Sequence, residues 1–210
     1  MKKYIFMLTV TGLGISVFAA PPVKKLKKTT EINYQVDAAA SSLKWNAKKV
    51  TGEHSGTLNF GSGTINIINN TLVGALITID MNTMDVTDLK GEYHDKLVNH
   101  LKSDDFFSVQ KFNTAVLKVK SAKAIKGDFA DNYMIVADLT IKGITKEITF
   151  PAIVVINKNQ VIVNTEFDID RTDYDIKYGS GKFYENIGDK AIMDKFNIKV
   201  RIIANKLISN

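Results

Sequence analysis

The chain has 210 residues, 45% of them hydrophobic, no cysteine and a formal net charge of +6. The missing cysteines exclude a disulfide framework, a thiol nucleophile and lipid attachment at a cleavage-site cysteine. Six of the 28 basic residues lie before residue 30, where there is no acid, which leaves 22 basic against 22 acidic from Glu31 onward and removes the basic bias that nucleic-acid binding requires.

Met1-Lys2-Lys3 is a basic start, followed by an uncharged apolar run over residues 4–18 and a cleavage pattern at Val17-Phe18-Ala19. This predicts a secretory signal peptide over residues 1–19 and an exported, periplasmic protein. The run is short for a membrane span, which takes about 20 apolar residues; an uncleaved anchor is the alternative. Residues 20–30 read as a basic linker, with Lys24-Lys25-Leu26-Lys27-Lys28 after Pro21-Pro22. These lysines are either solvated or in transient contact with anionic lipid, where each contributes about 1 kcal/mol. Residues 31–210 have the size of one domain, without a repeat period of about 20–50 residues.

The domain reads mainly as strands. Leu43, Trp45 and Ala47 alternate with Lys44, Asn46 and Lys48. Ile65 and Ile67 lead to Asn69-Asn70, a pair that tolerates the positive φ of a tight hairpin, and Val73, Ala75, Ile77 and Ile79 alternate away from it. Further alternating sets are Ala115, Leu117 and Val119; Tyr133 through Ile141; Val161 through Ile169; and Ile198 through Ala204. Ile148 to Ile156 is almost wholly apolar and ends at the turn Asn157-Lys158-Asn159. Alternation puts one face on apolar matter and the other in water, so an antiparallel sandwich or barrel of about eight strands is predicted.

One segment breaks the pattern. Leu89, Tyr93, Leu97 and Leu101 recur at helical spacing, which predicts a helical insertion near 88–101 with Asp88 as N-cap. Ser103 then caps a short turn carrying Phe106 and Phe107, and the glycine-rich aromatic stretch Gly179-Ser180-Gly181-Lys182-Phe183-Tyr184 suits the rim of an opening. An eight-stranded barrel is wide enough either to fill with side chains or to hold one ligand, and alternation does not distinguish the two. Lys44, Lys48, Lys118, Lys120, Lys142 and Lys199 on the outer faces argue against an outer-membrane barrel.

No catalytic constellation stands out. Gly-x-Ser-x-Gly, His-Glu-x-x-His and a phosphate loop are absent. His94 and His100 lie on different helix faces, and the stretch from Asp168 to Asp173 lacks the glycine of a calcium loop. A non-enzymatic protein without metal or cofactor is the expectation, and the oligomeric state is unreadable.

Several motifs occur together in order. His100-Leu101-Lys102-Ser103-Asp104-Asp105-Phe106-Phe107 is followed by Asp138-Leu139-Thr140-Ile141-Lys142-Gly143-Ile144-Thr145-Lys146, then by Phe167-Asp168-Ile169-Asp170-Arg171-Thr172-Asp173-Tyr174 and by Tyr178-Gly179-Ser180-Gly181. In this order they resemble the YceI-like family, across essentially the whole of 31–205. The chain departs from the family at Phe112-Asn113, where an aromatic followed by proline is common. The resemblance implies an all-β, antiparallel, eight-stranded lipocalin-like barrel over 31–210. It implies an envelope lipid-binding protein with a polyisoprenoid or other long-chain amphiphile inside, for carriage, storage or stress protection. A lipid-acting enzyme or a packed structural barrel is the alternative. On this reading the expected ligand contacts are Trp45, Phe60, Leu97, Phe106, Phe107, Phe112, Tyr178 and Phe183, each of which could equally be ordinary core. His54, His100 and Arg171 are candidates for a headgroup, Arg171 because its planar fork suits a phosphate or carboxylate. A salt bridge from Arg171 to Asp168, Asp170 or Asp173, and a helix-end role for His100, are the competing readings.

The mature protein is expected to start at Ala20. Amino-terminal sequencing of the exported protein checks this, and a start at Met1 overturns it.

Overall fold

The computed structural model describes residues 31–125 and 132–207; the expected signal peptide and linker lie outside the described residues, as do 126–131 and 208–210 of the expected domain. The strands are β1 (Glu31–Val36), β2 (Ser42–Lys49), β3 (Gly52–Ile68), β4 (Thr71–Val86), β5 (Thr114–Ala124), β6 (Tyr133–Ile141), β7 (Ile144–Ile156), β8 (Gln160–Asp170) and β9 (Ile192–Lys206). The helix α1 (Gly91–Lys102) stands between β4 and β5, and a 3₁₀ turn, Arg171–Tyr174, follows β8.

Each strand from β2 to β9 pairs antiparallel with two neighbours, and β2 closes the ring by pairing with both β3 and β9. The result is a closed eight-stranded barrel with one extra strand. That extra strand, β1, shares a slot with β2. It pairs with β3 at Glu31↔Ile68 to Gln35↔Thr64 and with β9 at Tyr34↔Lys206 to Val36↔Ala204, where β2 does not reach. The chain turns between the two pieces at 37–41, and Ser41 Oγ donates to the Asp37 carbonyl at 2.6 Å.

The hairpins follow their turn chemistry. Asn69 and Asn70 have φ of 49° and 62°, and Lys142 and Gly143 have 52° and 73°, so both two-residue turns carry the left-handed pair that matches strand twist. The inward faces of β6 and β8 follow the expected alternation, with Tyr133, Ile135, Ala137, Leu139 and Ile141 all buried in β6. In β4 the alternation shifts. Val73 is exposed and Leu72 takes the core position, because Asn66 pairs with Gly74 but Ile67 with Leu72, leaving Val73 as a bulge. A wider bulge at 81–84 turns Met84 inward as well as Met81, and Thr83 Oγ1 caps it by accepting from Asn59 N at 2.8 Å and donating to the Asp80 carbonyl at 2.6 Å.

The helix lies where the sequence places it but starts later and buries less. Its N-cap is Lys90, without a side-chain cap, and it has no fully buried residue. Tyr93, expected on the buried face, is 76% exposed. The helix rests on β4 through polar ties instead: His94 Nε2 to Asp85 at 2.7 Å and Lys102 Nζ to the Asn82 carbonyl at 2.8 Å. Asp88, expected as the cap, accepts from Ser55 N and pairs with His54 Nδ1, both at 2.8 Å, and so pins the entry to the helix onto β3.

One end of the barrel is solid. Tyr34, Ile65, Ile67 and Val161 are essentially inaccessible there, and the Tyr34 hydroxyl donates to the Asn157 carbonyl in the β7–β8 turn at 3.1 Å. The other end carries α1, the turn after it and the 171–191 connection.

Gly56 is the tightest backbone position. An added Cβ would fall on the Asp85 carbonyl oxygen and within 2.6 Å of the Trp45 ring. Gly56→Ala is therefore expected to lower stability by about 1–3 kcal/mol, the usual range for overpacking, in urea denaturation. A change within experimental error would overturn this account of the strand contact.

Candidate functional site

The barrel interior holds two abutting apolar cavities. The larger, of about 120 Å³, lies under α1, and the smaller, of about 80 Å³, lies deeper. Leu43, Ile79, Leu139 and Ile198 form part of both walls, so the two spaces follow one another along the axis. Their stacking follows from the pleat. Strand residues two apart point inward, and most of these are aliphatic side chains of moderate volume.

The expected site residues divide into groups. Trp45, Phe106, Phe107 and Arg171 line the larger cavity, and Phe60 lines the smaller. Leu97 is half-buried on α1 and lines neither. Phe112, at 37% exposure, lies outside the wall with its ring against Gly143 of the β6–β7 turn. Phe183 is 49% exposed, with Lys177 Nζ 5.3 Å above its ring. Tyr178 belongs to the rim. Its ring meets His100 at 4.7 Å and Phe106 at 5.4 Å, and His100 meets Phe106 edge-on at 5.0 Å. His100 is thus part of an aromatic clasp between the helix end and the 171–191 connection. His54 is held by Asp88 outside the cavity.

The turn after α1 drives its rings inward. Ser103 closes the helix by donating from Oγ to the His100 carbonyl at 2.7 Å, and its own carbonyl accepts from Phe106 N and Ser108 N. Ser108 has φ of 47°, which reverses the chain and leaves Phe106 buried. Met81, Met84, Ile176 and Ile192 on the larger wall were not among the expected contacts. Met81 continues the alternation of Ala75, Ile77 and Ile79, whereas Met84 faces inward only because of the β4 bulge, and Ile176 lies in irregular chain, where no period exists to read.

Arg171 is the main correction. It is 4% exposed, and its salt bridge is not to Asp168, Asp170 or Asp173 but to Asp194, at 3.5 Å. Every guanidinium nitrogen donates to main chain: Nε to Met193 O at 3.1 Å, Nη1 to Ile176 O at 2.9 Å and Tyr178 O at 2.8 Å, and Nη2 to Ile192 O at 3.0 Å. Burial lowers its pKa, and Asp194 and Asp170 offset this only in part. The side chain that suits a phosphate is therefore occupied in fastening the mouth. Three buried side-chain atoms among the described residues lack a hydrogen-bond partner: Trp45 Nε1, Tyr174 OH and Asp194 Oδ1. Burial, with Asp173 nearby, pushes the Tyr174 phenol up to about 12.

A closed antiparallel eight-stranded barrel with an apolar lumen and a helix at one end is a lipocalin-like barrel. The YceI-like domain model matches residues 34–204, and the chain belongs to that family. A UPF0312 protein of Staphylococcus aureus (strain N315) is 36% identical over 124 residues, covering 56% of this chain and 63% of that relative's length. Among solved structures, BcnA of Burkholderia cenocepacia aligns with a TM-score of 0.64 at 21% identity, over 80% of this chain and 99% of that one. A polyisoprenoid binding domain from Saccharophagus degradans, implicated in plant cell wall breakdown, aligns at 0.59 and 18%, over 84% and 99%. A Campylobacter jejuni YceI protein aligns at 0.51 and 18%, over 99% and 100%. These likenesses establish the fold.

Asp170 braces the start of the mouth segment, accepting from Thr172 N at 2.9 Å, Thr172 Oγ1 at 2.6 Å and Lys182 Nζ at 2.8 Å. Burial pushes its carboxyl up, but the bonds from Lys182 and Thr172 outweigh this and hold it at about 2, below the ordinary 3.8. A depressed carboxylate contributes stability that is complete above the unfolded value and is lost as pH falls through the folded one. Asp170→Asn is expected to cost about 1–2 kcal/mol near neutrality after allowance for solvent screening, with the gap to wild type closing towards pH 2. Urea melts across this range check it, and a gap independent of pH would refute the assignment.

Proposed function

We propose that this chain is an exported envelope protein that holds a polyisoprenoid or another long-chain amphiphile inside its barrel, for carriage, storage or protection under stress. The observation that carries the reading is the pair of abutting apolar cavities along the barrel axis, about 120 and 80 Å³. A chain threaded through both would bury methylene groups at about 0.8 kcal/mol each, so even about ten buried groups outweigh a moderate association cost. The cavities are smaller than the ~300 Å³ at which ligand pockets usually begin. Met81, Met84 and the Phe106–Phe107 turn supply walls that can yield, since unbranched methionine changes rotamer readily. The likeness to the polyisoprenoid binding domain of Saccharophagus degradans supports the isoprenoid class.

Binding is favoured over turnover of a lipid because Arg171, the charged side chain on the larger wall, is fully engaged by main-chain carbonyls. Export rests on the amino-terminal pattern of residues 1–19. Among the described residues no helix is long and apolar enough to cross a membrane.

Ala115 is 6% exposed and lines the larger cavity. Ala115→Trp should abolish ligand uptake while costing less than about 1 kcal/mol of stability, since the new ring fills space that a ligand would occupy; in a packed barrel the same change costs about 1–3 kcal/mol or more. Native mass spectrometry and organic extraction of the protein from its own cells should yield a long-chain lipid. An empty extract, no uptake of an added isoprenoid and severe destabilisation by Ala115→Trp would together overturn the proposal.

A further inference from the structure

We propose that a long apolar chain enters the lumen sideways, through a seam between β7 and β8, and not past α1. The inference goes beyond the lipid-binding reading and rests on it.

The ladder between β7 and β8 has four residue pairs, Ile153↔Asn164 to Ile156↔Val161, and is the shortest in the ring of β2 to β9. Towards the mouth, β7 stays paired with β6 as far as Ile144, and β8 stays paired with β9 as far as Asp170. Among the described residues no pair joins β7 to β8 over this interval. Pro151, two residues past the last pair, has no N–H to give to a ladder. Side chains close the interval instead. Thr165 Oγ1 donates to the Pro151 carbonyl at 2.6 Å. The rings of Phe150 and Phe167 stack at 4.2 Å with their planes 12° apart, and both line the deeper cavity. At the mouth end, Lys142 Nζ holds the Asp175 carbonyl at 3.0 Å.

Outside the seam lies a groove of about 360 Å³, with Ile153, Asn164, Thr165 and Glu166 on its wall. Thr165 also lines the deeper cavity, so the wall between groove and lumen is one residue thick there. Ile153 and the alkyl stems of Lys44 and Lys199 give an arriving chain an apolar track along the groove. A ladder opens only by breaking backbone hydrogen bonds, which strands polar groups in an apolar wall. A seam closed by rings opens by rotamer changes and leaves every backbone bond in place. The mouth has no comparable weakness, since Phe106 and Val109 belong to the core and Arg171 ties 176–178 to 192–193.

The test locks the seam and the mouth separately in the full chain, stripped of lipid. The chain has no cysteine, so an introduced pair is the only one to react. Continuing the register of the last β7–β8 pair puts Thr149 opposite Asp168, both exposed. Thr149→Cys with Asp168→Cys forms the seam lock. Asp85→Cys with His94→Cys, at side chains now 2.7 Å apart, ties α1 to β4 as the mouth lock. Each pair is joined by a disulfide or, where the strands stand too far apart for one, by a short bismaleimide. Uptake of a pyrene-labelled long-chain alcohol is followed by stopped flow as energy transfer from Trp45, the only tryptophan. The seam lock is expected to slow uptake by about tenfold or more, since entry there would then require breaking at least one ladder hydrogen bond, and the mouth lock to leave the rate unchanged. If the seam lock has no effect, or the mouth lock slows uptake as much, the inference fails while the lipid-binding reading stands, because the unlinked protein still takes up the probe. If the unlinked protein takes up none, both fall. Should the seam pair not fold, Phe167→Leu decides: removing the stacked ring should speed both uptake and release, and unchanged rates overturn the proposal.

Discussion

The structure depends on closure of the hydrogen-bonded wall. In an open sheet, both edges need covering, and the interior has to be filled by packing another layer onto it. Here β9 pairs along its length with β8 on one side and with β2 and then β1 on the other, so the ring has no exposed edge. A closed wall satisfies its backbone groups without help from the lumen. That separates the barrel's persistence from the filling of its interior, and an incompletely packed lumen becomes tolerable. Sharing one slot between β1 and β2 adds to this, because each piece covers a stretch of β3 and β9 that the other leaves bare.

Having closed the wall, the chain must control one mouth, and it does so mainly with polar ties. Arg171 gathers four main-chain carbonyls from two separate stretches, 176–178 and 192–193, that would otherwise splay apart. Burying a guanidinium is expensive, and the cost is bearable only because each nitrogen finds a partner. The opposite side of the mouth is lighter. The helix α1 buries no residue fully and rests on β4 through His94–Asp85 and Lys102–Asn82. Asp95 and Asp85 hold the His94 pKa above its ordinary value. Such contacts are readily exchanged for water, unlike an apolar interface. The mouth thus combines a firmly tied half at 171–193 with a lightly seated helix at 91–102, joined by the contacts of Tyr178 with His100 and Phe106, while the turn after the helix is held in the core by Phe106 and Val109.

The 81–84 bulge of β4 connects this mouth to the lumen. By inserting residues into one strand it bends the strand and re-aims its side chains, which turns Met84 inward beside Met81 beneath the helix. The same bulge presents the Asn82 carbonyl to Lys102. One irregularity therefore sets both the composition of the cavity wall and the seat of the helix. Gly56 acts in a similar way from β3, where the lack of a side chain lets the Trp45 ring lie against the strand.

What the sequence determined alone is the strand content, the tight turns and the position of the helix. The period of two in Tyr133 to Ile141, the Asn69-Asn70 pair and the spacing of Leu97 and Leu101 are local signals, written in consecutive residues. The ordered motifs that resemble the YceI-like family likewise predicted the barrel. Other features were decided only by the tertiary structure. The bulge that exposes Val73 and buries Leu72 depends on the register of β3 against β4. The capture of Asp88 by His54 and Ser55 depends on how the helix entry meets β3. The placing of Phe112 and Phe183 outside the cavity wall, and the pairing of Arg171 with distant carbonyls and Asp194, depend on where irregular loops come to rest. The reason is physical. A side chain's local preference is fixed by its neighbours in the chain, whereas its partner in a closed barrel is chosen by register and curvature, which distant strands impose on one another.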